Sequence, residues 1–305
     1  MQDSHKTVNA DETLAEIISI IWNSKLLIIS ITFIGIFITL FLAIYTPNIY
    51  KSTAVLLPIS SDNSLSSKIG ASPLTSLVGI SIPSNTADKS QEAIRRLNSL
   101  DFFSKSFLPE INLKDLMALK RWDADNNILI YNSKIYDYNK NVWIKNKPSS
   151  QEAFEVYKQI INIKEDTKTP FIEISINHLS PLLAKEWLEI IIKNINESIR
   201  SYDEKATLDY LNFLSNYYEN SKKQSMREVI SKLQESQMQS LMMASRKSND
   251  YVFKFIDPPV VPEFKIWPNR FIIVCIGSIL SFVIALLLVL VINYRHNLTK
   301  KLVKQ

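Results

Sequence analysis

The side chains best suited to metal binding or nucleophilic chemistry are few and far apart in the sequence. The histidines are His5, His178 and His296, and the only cysteine is Cys275. A zinc site needs several such ligands close together, and no such cluster occurs in this sequence. We therefore predict no metal site and no disulfide within the chain, and we interpret His178 as a structural turn residue.

Glycine-dependent motifs are also missing from the sequence. The chain has only 4 glycines, and none of the patterns G-x-x-x-x-G-K-[ST], G-x-G-x-x-G or G-x-S-x-G occurs. The sequence therefore lacks the loops that usually bind nucleotide phosphates and the loop that usually carries the nucleophilic serine of an esterase. Carboxylates such as Asp123 and Asp125 are compatible with a glycosidase that uses a pair of carboxylates, although a solvated charged surface is the simpler interpretation of these residues. The sequence predicts no enzyme and no cofactor.

Basic and acidic side chains are interleaved along the chain. There are 35 Lys and Arg against 30 Asp and Glu, for a formal charge of +5. In Lys222, Lys223, Arg227 and Glu228, for example, both signs occur within a short stretch. This pattern is typical of a solvated helix surface rather than of a nucleic-acid-binding stripe. We predict no nucleic-acid partner.

Two long apolar runs lie near the ends of the sequence. Residues 26–45 and 271–292 contain no charged side chain. At about 1.5 Å per residue, helices of this length span the roughly 30 Å apolar core of a bilayer. The first run is too long for the apolar part of a signal peptide and ends without a small-x-small cleavage site. Both runs are predicted to be transmembrane helices.

The charges around the second run indicate the orientation. The residues after it include Arg295, Lys300, Lys301 and Lys304 and no acid, which favours the cytoplasm for both termini. We predict a two-pass membrane protein, which in a Gram-negative cell lies in the inner membrane with its middle segment in the periplasm. Its parts are a cytoplasmic tail at 1–25, a transmembrane helix at 26–46, a periplasmic segment at 47–269, a second transmembrane helix at 270–293 and a basic cytoplasmic tail at 294–305.

Small residues recur every four positions in both apolar runs. Such faces let helix backbones approach closely. The two helices could pack together or against a neighbouring subunit, and small residues are also common in membrane helices that make no such contact. The residues concerned are Gly35, Thr39 and Ala43 in the first run, and Gly277, Ser281 and Ala285 in the second.

The segment between the runs predicts an α+β fold. Residues 50–58, 171–177 and 251–257 predict strands, and residues 127–131 and 142–145 are weaker strand candidates. The first and last strands each adjoin a membrane helix, so their ends must lie close together. Pairing them in one sheet satisfies this requirement.

Helix and loop signals occur between the strands. Residues 60–89 predict a loop with an apolar island at 74–82, and residues 91–100 and 101–108 predict short helices. Ser149 or Ser150 predicts the start of a helix that continues to about Ile161.

A long helix is predicted to begin after Ser180, with Pro181 in its first turn. Ala184, Leu188, Ile191, Ile195, Ile199 and Tyr202 form its core-facing stripe. An unbroken helix over residues 181–248 would be about 100 Å long, so it must break or project. A projecting helix would need partner copies, whereas a hairpin turned at residues 216–223 would not.

In the order of these parts the chain resembles the Wzz-type polysaccharide co-polymerases, the chain length determinants of bacterial surface polysaccharides. The resemblance covers the architecture of the whole chain and is weakest over residues 85–168. It is carried by residues 17–58, around the first apolar run, by residues 171–198, a strand with a His-x-x-Pro turn and a helix, and by residues 256–295, the proline-rich segment and second run.

The resemblance implies a non-enzymatic regulator that assembles into a ring-shaped homo-oligomer such as an octamer. It implies an α/β base at the membrane and long helices, about residues 181–248, that extend into the periplasm. The partner would be a Wzy-type polymerase, and the regulator would set the number of repeat units added to lipid-linked O-antigen in lipopolysaccharide biosynthesis. We take as candidate residues for assembly and polymerase contact Pro258, Pro259, Pro262, Pro268, Gly277, Ser281 and Gly35.

Other functions remain open at this stage. A co-polymerase of capsule or exopolysaccharide export would carry or pair with a tyrosine kinase, for which residues 295–305 leave no room. A two-helix membrane sensor would need an output partner, and a periplasmic glycan hydrolase would need a carboxylate pair. The short basic tail favours the O-antigen type.

Overall fold

The computed structural model describes residues 19–59, 89–166, 168–221, 223–245 and 250–303. It divides into two compact units, one formed by residues 1–48 and 266–305 and the other by residues 49–265. The loop predicted at residues 60–89 lies outside the described residues, apart from Lys89. The protein has the predicted mixed fold, with helices, antiparallel strands and an apolar helix near each end.

Helices and strands are mixed along the described part of the chain. A π-helical turn, Phe103–Phe107, and a 3-10 turn, Leu108–Glu110, connect the third and fourth helices. In chain order the elements are α1 (Lys25–Tyr45), β1 (Ile49–Pro58), α2 (Lys89–Leu97), α3 (Leu100–Phe102), α4 (Leu113–Met117), β2 (Leu119–Asp123), β3 (Ile128–Tyr131), β4 (Tyr136–Asp137), β5 (Val142–Trp143), α5 (Ser150–Ile160), β6 (Ile161–Glu165), β7 (Ile172–His178), α6 (Pro181–Asn220), α7 (Gln224–Ala244), β8 (Phe253–Asp257), β9 (Lys265–Trp267) and α8 (Arg270–Val303).

The main sheet of the larger unit has the strand order β6-β7-β1-β8, and each of these pairs is antiparallel. Ala54 of β1 lies opposite Ile174 of β7, and Leu56 lies opposite Phe255 of β8. The predicted pairing of the first and last strands is therefore confirmed. Because side chains alternate along β1, Ala54 and Leu56 are buried on the core face.

Two helices begin where their caps predict. The Ser149 hydroxyl accepts a hydrogen bond from the Glu152 backbone N–H, and the Glu152 carboxylate accepts one from the Ser149 N–H, which forms a capping box. The Ser180 hydroxyl accepts a hydrogen bond from the Leu183 N–H, with Pro181 in the first turn of α6. These contacts satisfy N–H groups that have no partner inside the helix.

The first part of α6 lies on the sheet and supplies much of the core. Leu188, Ile191, Ile195 and Ile199 are all fully buried, as the predicted stripe requires. Tyr202 is the exception, because its side chain is 56% exposed and the Arg96 guanidinium lies 4.7 Å from its ring centre. A cation over the exposed ring gives it a favourable contact outside the core.

One buried amide connects α6 to the last strand of the sheet. Asn196 donates from Nδ2 to the Phe253 carbonyl at 3.0 Å, and its Oδ1 accepts from the Val252 and Phe253 N–H groups, both at 2.9 Å. Asn196 is only 3% exposed, so these bonds replace the water that it would otherwise bind.

The long helical segment is a hairpin, as the second of the two sequence interpretations predicts. Helix α6 ends at Asn220 and α7 returns along it from Gln224. Near the turn, Leu214, Ile230 and Leu233 form a small buried cluster. The alternative of an unbroken, projecting helix is therefore wrong. Beyond Glu204, Leu214 of α6 packs against Ile230 and Leu233 of α7.

Candidate functional site

The two apolar helices, α1 and α8, contact each other through their small residues. A Cβ atom added at Gly277 would lie 2.7 Å from the Cβ atom of Thr39, and one added at Gly35 would overlap the Ser281 side chain. Cβ atoms do not approach this closely in real proteins, so both positions require glycine. Ala43 is completely buried. Of the packing alternatives left open by the sequence, contact between the two helices is the one observed.

The polar side chains in this contact make hydrogen bonds within their own helices. The Ser281 hydroxyl donates to the Gly277 carbonyl at 2.8 Å, and the Thr39 hydroxyl donates to the Ile36 carbonyl at 3.0 Å. Their carbon atoms are left to fill the space between the helices. At these residues the close approach of the backbones therefore stabilises the pair.

The outer surfaces of both helices are apolar. Phe37, Phe41, Ile276 and Leu280 are each more than half exposed. Lys25–Tyr45 and Arg270–Arg295 are long and apolar enough to cross a membrane. A surface of this kind is unfavourable in water and compatible with hydrocarbon.

A hydrogen bond connects the proline-rich segment after β8 to strand β1. Pro259 is buried, Pro258 is exposed and Pro262 is intermediate. The Ser52 hydroxyl of β1 donates to the Val260 carbonyl at 2.9 Å. Because proline fixes its backbone φ angle, this contact holds a stiff segment in a defined position.

The seven candidate assembly residues are divided between the two units. Gly35, Gly277 and Ser281 meet in the helix pair, and Pro268 is a buried residue shortly before α8. Pro258, Pro259 and Pro262 belong to the unit that contains the sheet. Their role in assembly or polymerase contact remains a prediction.

Sequence reasoning missed an aromatic row on the α6–α7 hairpin. The rings of Tyr210 and Phe213 are 6.2 Å apart, and those of Phe213 and Tyr217 are 6.1 Å apart, with both pairs nearly parallel. Phe213 is 55% exposed and Tyr217 47% exposed, and they border an apolar groove with Met226 of α7. Their spacing of three and four residues was a usable signal, since it places the rings on one helix face.

The Tyr210 hydroxyl, at one end of this row, is buried without a hydrogen-bond partner among the described residues. A buried polar group in this state has a free-energy cost that an additional partner would relieve. The row and the groove therefore form a candidate interaction surface.

His178 has the structural environment of a turn residue. Its Nδ1 accepts a hydrogen bond from the Ser180 N–H at 3.1 Å, and its Nε2 lies 3.4 Å from the Asp115 carbonyl oxygen. The ring packs against Trp187 at 4.4 Å between ring centres. Burial lowers the pKa of His178 below its ordinary value of 6.5. Among the described residues, no group of three or more His, Cys, Asp or Glu is arranged to hold a metal ion.

The lowered pKa of His178 predicts loss of stability in mild acid. The unfolded chain takes up a proton near pH 6.5, whereas the folded chain resists it, so the free energy of unfolding falls as the pH drops below 6.5. The slope from this one group is at most about 1.4 kcal/mol per pH unit. Urea unfolding of the detergent-solubilised protein between pH 7.5 and 5.5 measures it.

The control for this prediction is His178→Gln, which keeps hydrogen-bonding capacity but does not titrate in this range. The variant should be less stable at pH 7.5 and show a flatter dependence on pH. An unchanged pH dependence would mean that another group takes up the proton.

A protein-family model matches part of the chain. Residues 11–107 match the Wzz family model, described as "Chain length determinant protein". This match confirms the predicted resemblance over that segment. No curated protein matches the sequence.

Structures of polysaccharide co-polymerases are among the solved structures that are similar to the chain. A full-length bacterial polysaccharide co-polymerase is 11% identical, with a TM-score of 0.45, and the alignment covers 92% of this chain and 97% of that one. A fragment of WzzB, a polysaccharide co-polymerase from Salmonella Typhimurium, is 14% identical, with a TM-score of 0.35, and the alignment covers 72% of this chain and 100% of that one.

Proposed function

We propose that the protein is a Wzz-type chain length determinant that sets the modal number of repeat units in O-antigen, acting on a Wzy-type polymerase during lipopolysaccharide biosynthesis. The observation that carries the proposal is the match of residues 11–107 to the family model. The protein acts without catalysis, by holding a polymerase or its lipid-linked glycan in a defined arrangement.

In the proposed topology α1 and α8 both cross the inner membrane, residues 49–265 lie in the periplasm and both termini are cytoplasmic. The length and composition of the helices support two crossings. The basic, acid-free residues after Ile292 support the orientation. The division of the chain proposed from the sequence, with spans at 26–46 and 270–293, follows from the same two features.

The functional form is proposed to be a ring-shaped homo-oligomer such as an octamer. The aromatic row on α6 and the adjoining groove supply exposed apolar surface for contact between neighbouring copies. The helix pair and Pro258, Pro259, Pro262 and Pro268 supply the proposed contacts for assembly and for the polymerase.

The test is deletion of the gene in its own bacterium, followed by electrophoresis of the lipopolysaccharide. We expect polymer still to be made, with its modal cluster of lengths replaced by an unregulated distribution. Complementation with the intact gene should restore the mode.

Three results would contradict the proposal. Complete loss of polymer would indicate a role in export or polymerisation, and an effect confined to capsule or exopolysaccharide would indicate the kinase-partnered type. A normal ladder together with a stable cytoplasmic signalling partner would indicate a sensor.

A further inference from the structure

The β4–β5 hairpin presents an apolar face to solvent. Tyr136 lies opposite Trp143, and the Ile144 N–H donates to the Ile135 carbonyl at 3.0 Å. Because side chains alternate across a strand, Ile135, Val142 and Ile144 lie on one face and the two aromatic residues on the other. Tyr136 is 4% exposed, whereas Val142 is 48% and Ile144 53% exposed.

The buried face of the hairpin is held firmly. The Tyr136 ring packs edge-on against Trp143, with 5.1 Å between centres. The Lys114 ammonium lies 5.5 to 5.7 Å from the ring centres of Tyr131, Tyr136 and Tyr138. The apolar outer face is therefore fixed in position by packing behind it.

The same hairpin is strongly basic. Lys134, Lys140, Lys145 and Lys147 are all exposed, and none of them takes part in an ion pair within the part of the chain that the structure describes. The single acid of residues 132–147 is Asp137, whose carboxylate accepts hydrogen bonds from backbone N–H groups of the turn. Four lysines are thus available to an anionic partner.

A series of ring contacts connects the hairpin to Tyr50 of β1. Tyr50 follows the last residue of α1, Tyr45, by five positions, which span at most about 18 Å. The Trp122 ring of β2 lies 5.5 Å from the Tyr50 ring, edge to face. Strand β3, which pairs with β2, carries the Tyr131 ring that stacks on Tyr138 of the hairpin turn.

We propose that the β4–β5 hairpin docks on the anionic lipid surface of the membrane that α1 and α8 cross. Ile135, Val142 and Ile144 would enter the boundary between head groups and acyl chains, and the flanking lysines would bind phosphates. An acidic glycan would engage the lysines but leave the aliphatic face in water. The placement depends on α1 and α8 spanning the bilayer and is independent of what the protein does to glycan.

The test uses the full-length protein in nanodiscs of phosphatidylcholine, with or without phosphatidylglycerol. Cys275→Ser removes the native thiol, and Ile144→Cys then carries an environment-sensitive fluorophore. The matched control is Lys232→Cys on α7, where the native side chain is also exposed. We expect nitroxide lipids labelled near the head group to quench the probe at position 144 in anionic discs and to leave the probe at position 232 unaffected.

The lysines supply a second variant. Lys134→Glu with Lys145→Glu should reduce the quenching at position 144 by about half or more, and so should high salt, because screening weakens attraction to anionic lipid. Circular dichroism confirms that the variant is folded.

Other outcomes overturn the inference. Equal exposure of the two probes to water in anionic discs would show that the hairpin stays in solution. Shielding at position 144 without lipid quenching would indicate a protein interface, and shielding only after addition of an anionic polysaccharide would indicate a glycan site. A normal lipopolysaccharide ladder in the deletion strain would overturn the proposed function but leave a lipid-quenched hairpin standing.

Discussion

Gly35→Leu is expected to separate α1 from α8 and, under the proposed function, to abolish regulated glycan length. Even a Cβ atom at this position would overlap the Ser281 side chain, and leucine adds three more carbon atoms. Overpacking of a close contact costs about 1–3 kcal/mol. We expect the full-length protein to unfold at lower SDS fractions in mixed micelles, and the lipopolysaccharide of a strain carrying the variant to lose its modal cluster.

Ser30→Leu is the matched control, because it adds similar bulk to the same helix at an exposed position. It should leave both measurements near wild type. The double variant Gly35→Ser with Ser281→Gly should keep much of the stability that Gly35→Leu loses, because one small side chain then lies opposite a glycine again. Equal effects of the Gly35 and Ser30 substitutions would contradict the role of the helix contact.

Much of the architecture follows from local patterns in the sequence. Ser180 and Pro181 predict the start of α6, and alternation over residues 171–177 predicts the strand observed as β7, because both signals depend on neighbouring residues only. The small residues of α1 and α8 likewise indicate that a close contact is possible, although such residues are common in membrane helices that make none. The spacing of the small residues does not show whether that contact lies within one chain, because this depends on how the two helices are connected.

The features that the sequence left open or missed depend on long-range packing. The turn between α6 and α7 follows Asn220 without a glycine or proline, so no local signal separates a hairpin from a continuous helix. Tyr202 has the spacing of the core stripe but is exposed, with the Arg96 guanidinium over its ring. Which face of the β4–β5 hairpin is exposed depends on the pairing of Tyr136 with Trp143, and two-residue strands are too short to show alternation.

Leu188→Ala should destabilise the larger unit by about 2–5 kcal/mol, because it removes a fully buried side chain from the contact of α6 with the sheet and leaves a cavity. Leu182→Ala, in the first turn of the same helix, is the matched control, since Leu182 is 43% exposed. Its cost should stay below about 1 kcal/mol. Urea unfolding of the detergent-solubilised protein, with circular dichroism as the signal, compares the two variants under conditions that leave α1 and α8 in the micelle. Similar midpoints for both variants would mean that α6 does not bury Leu188. A selective effect of Leu188→Ala would support the packing of α6 on the sheet through this side chain.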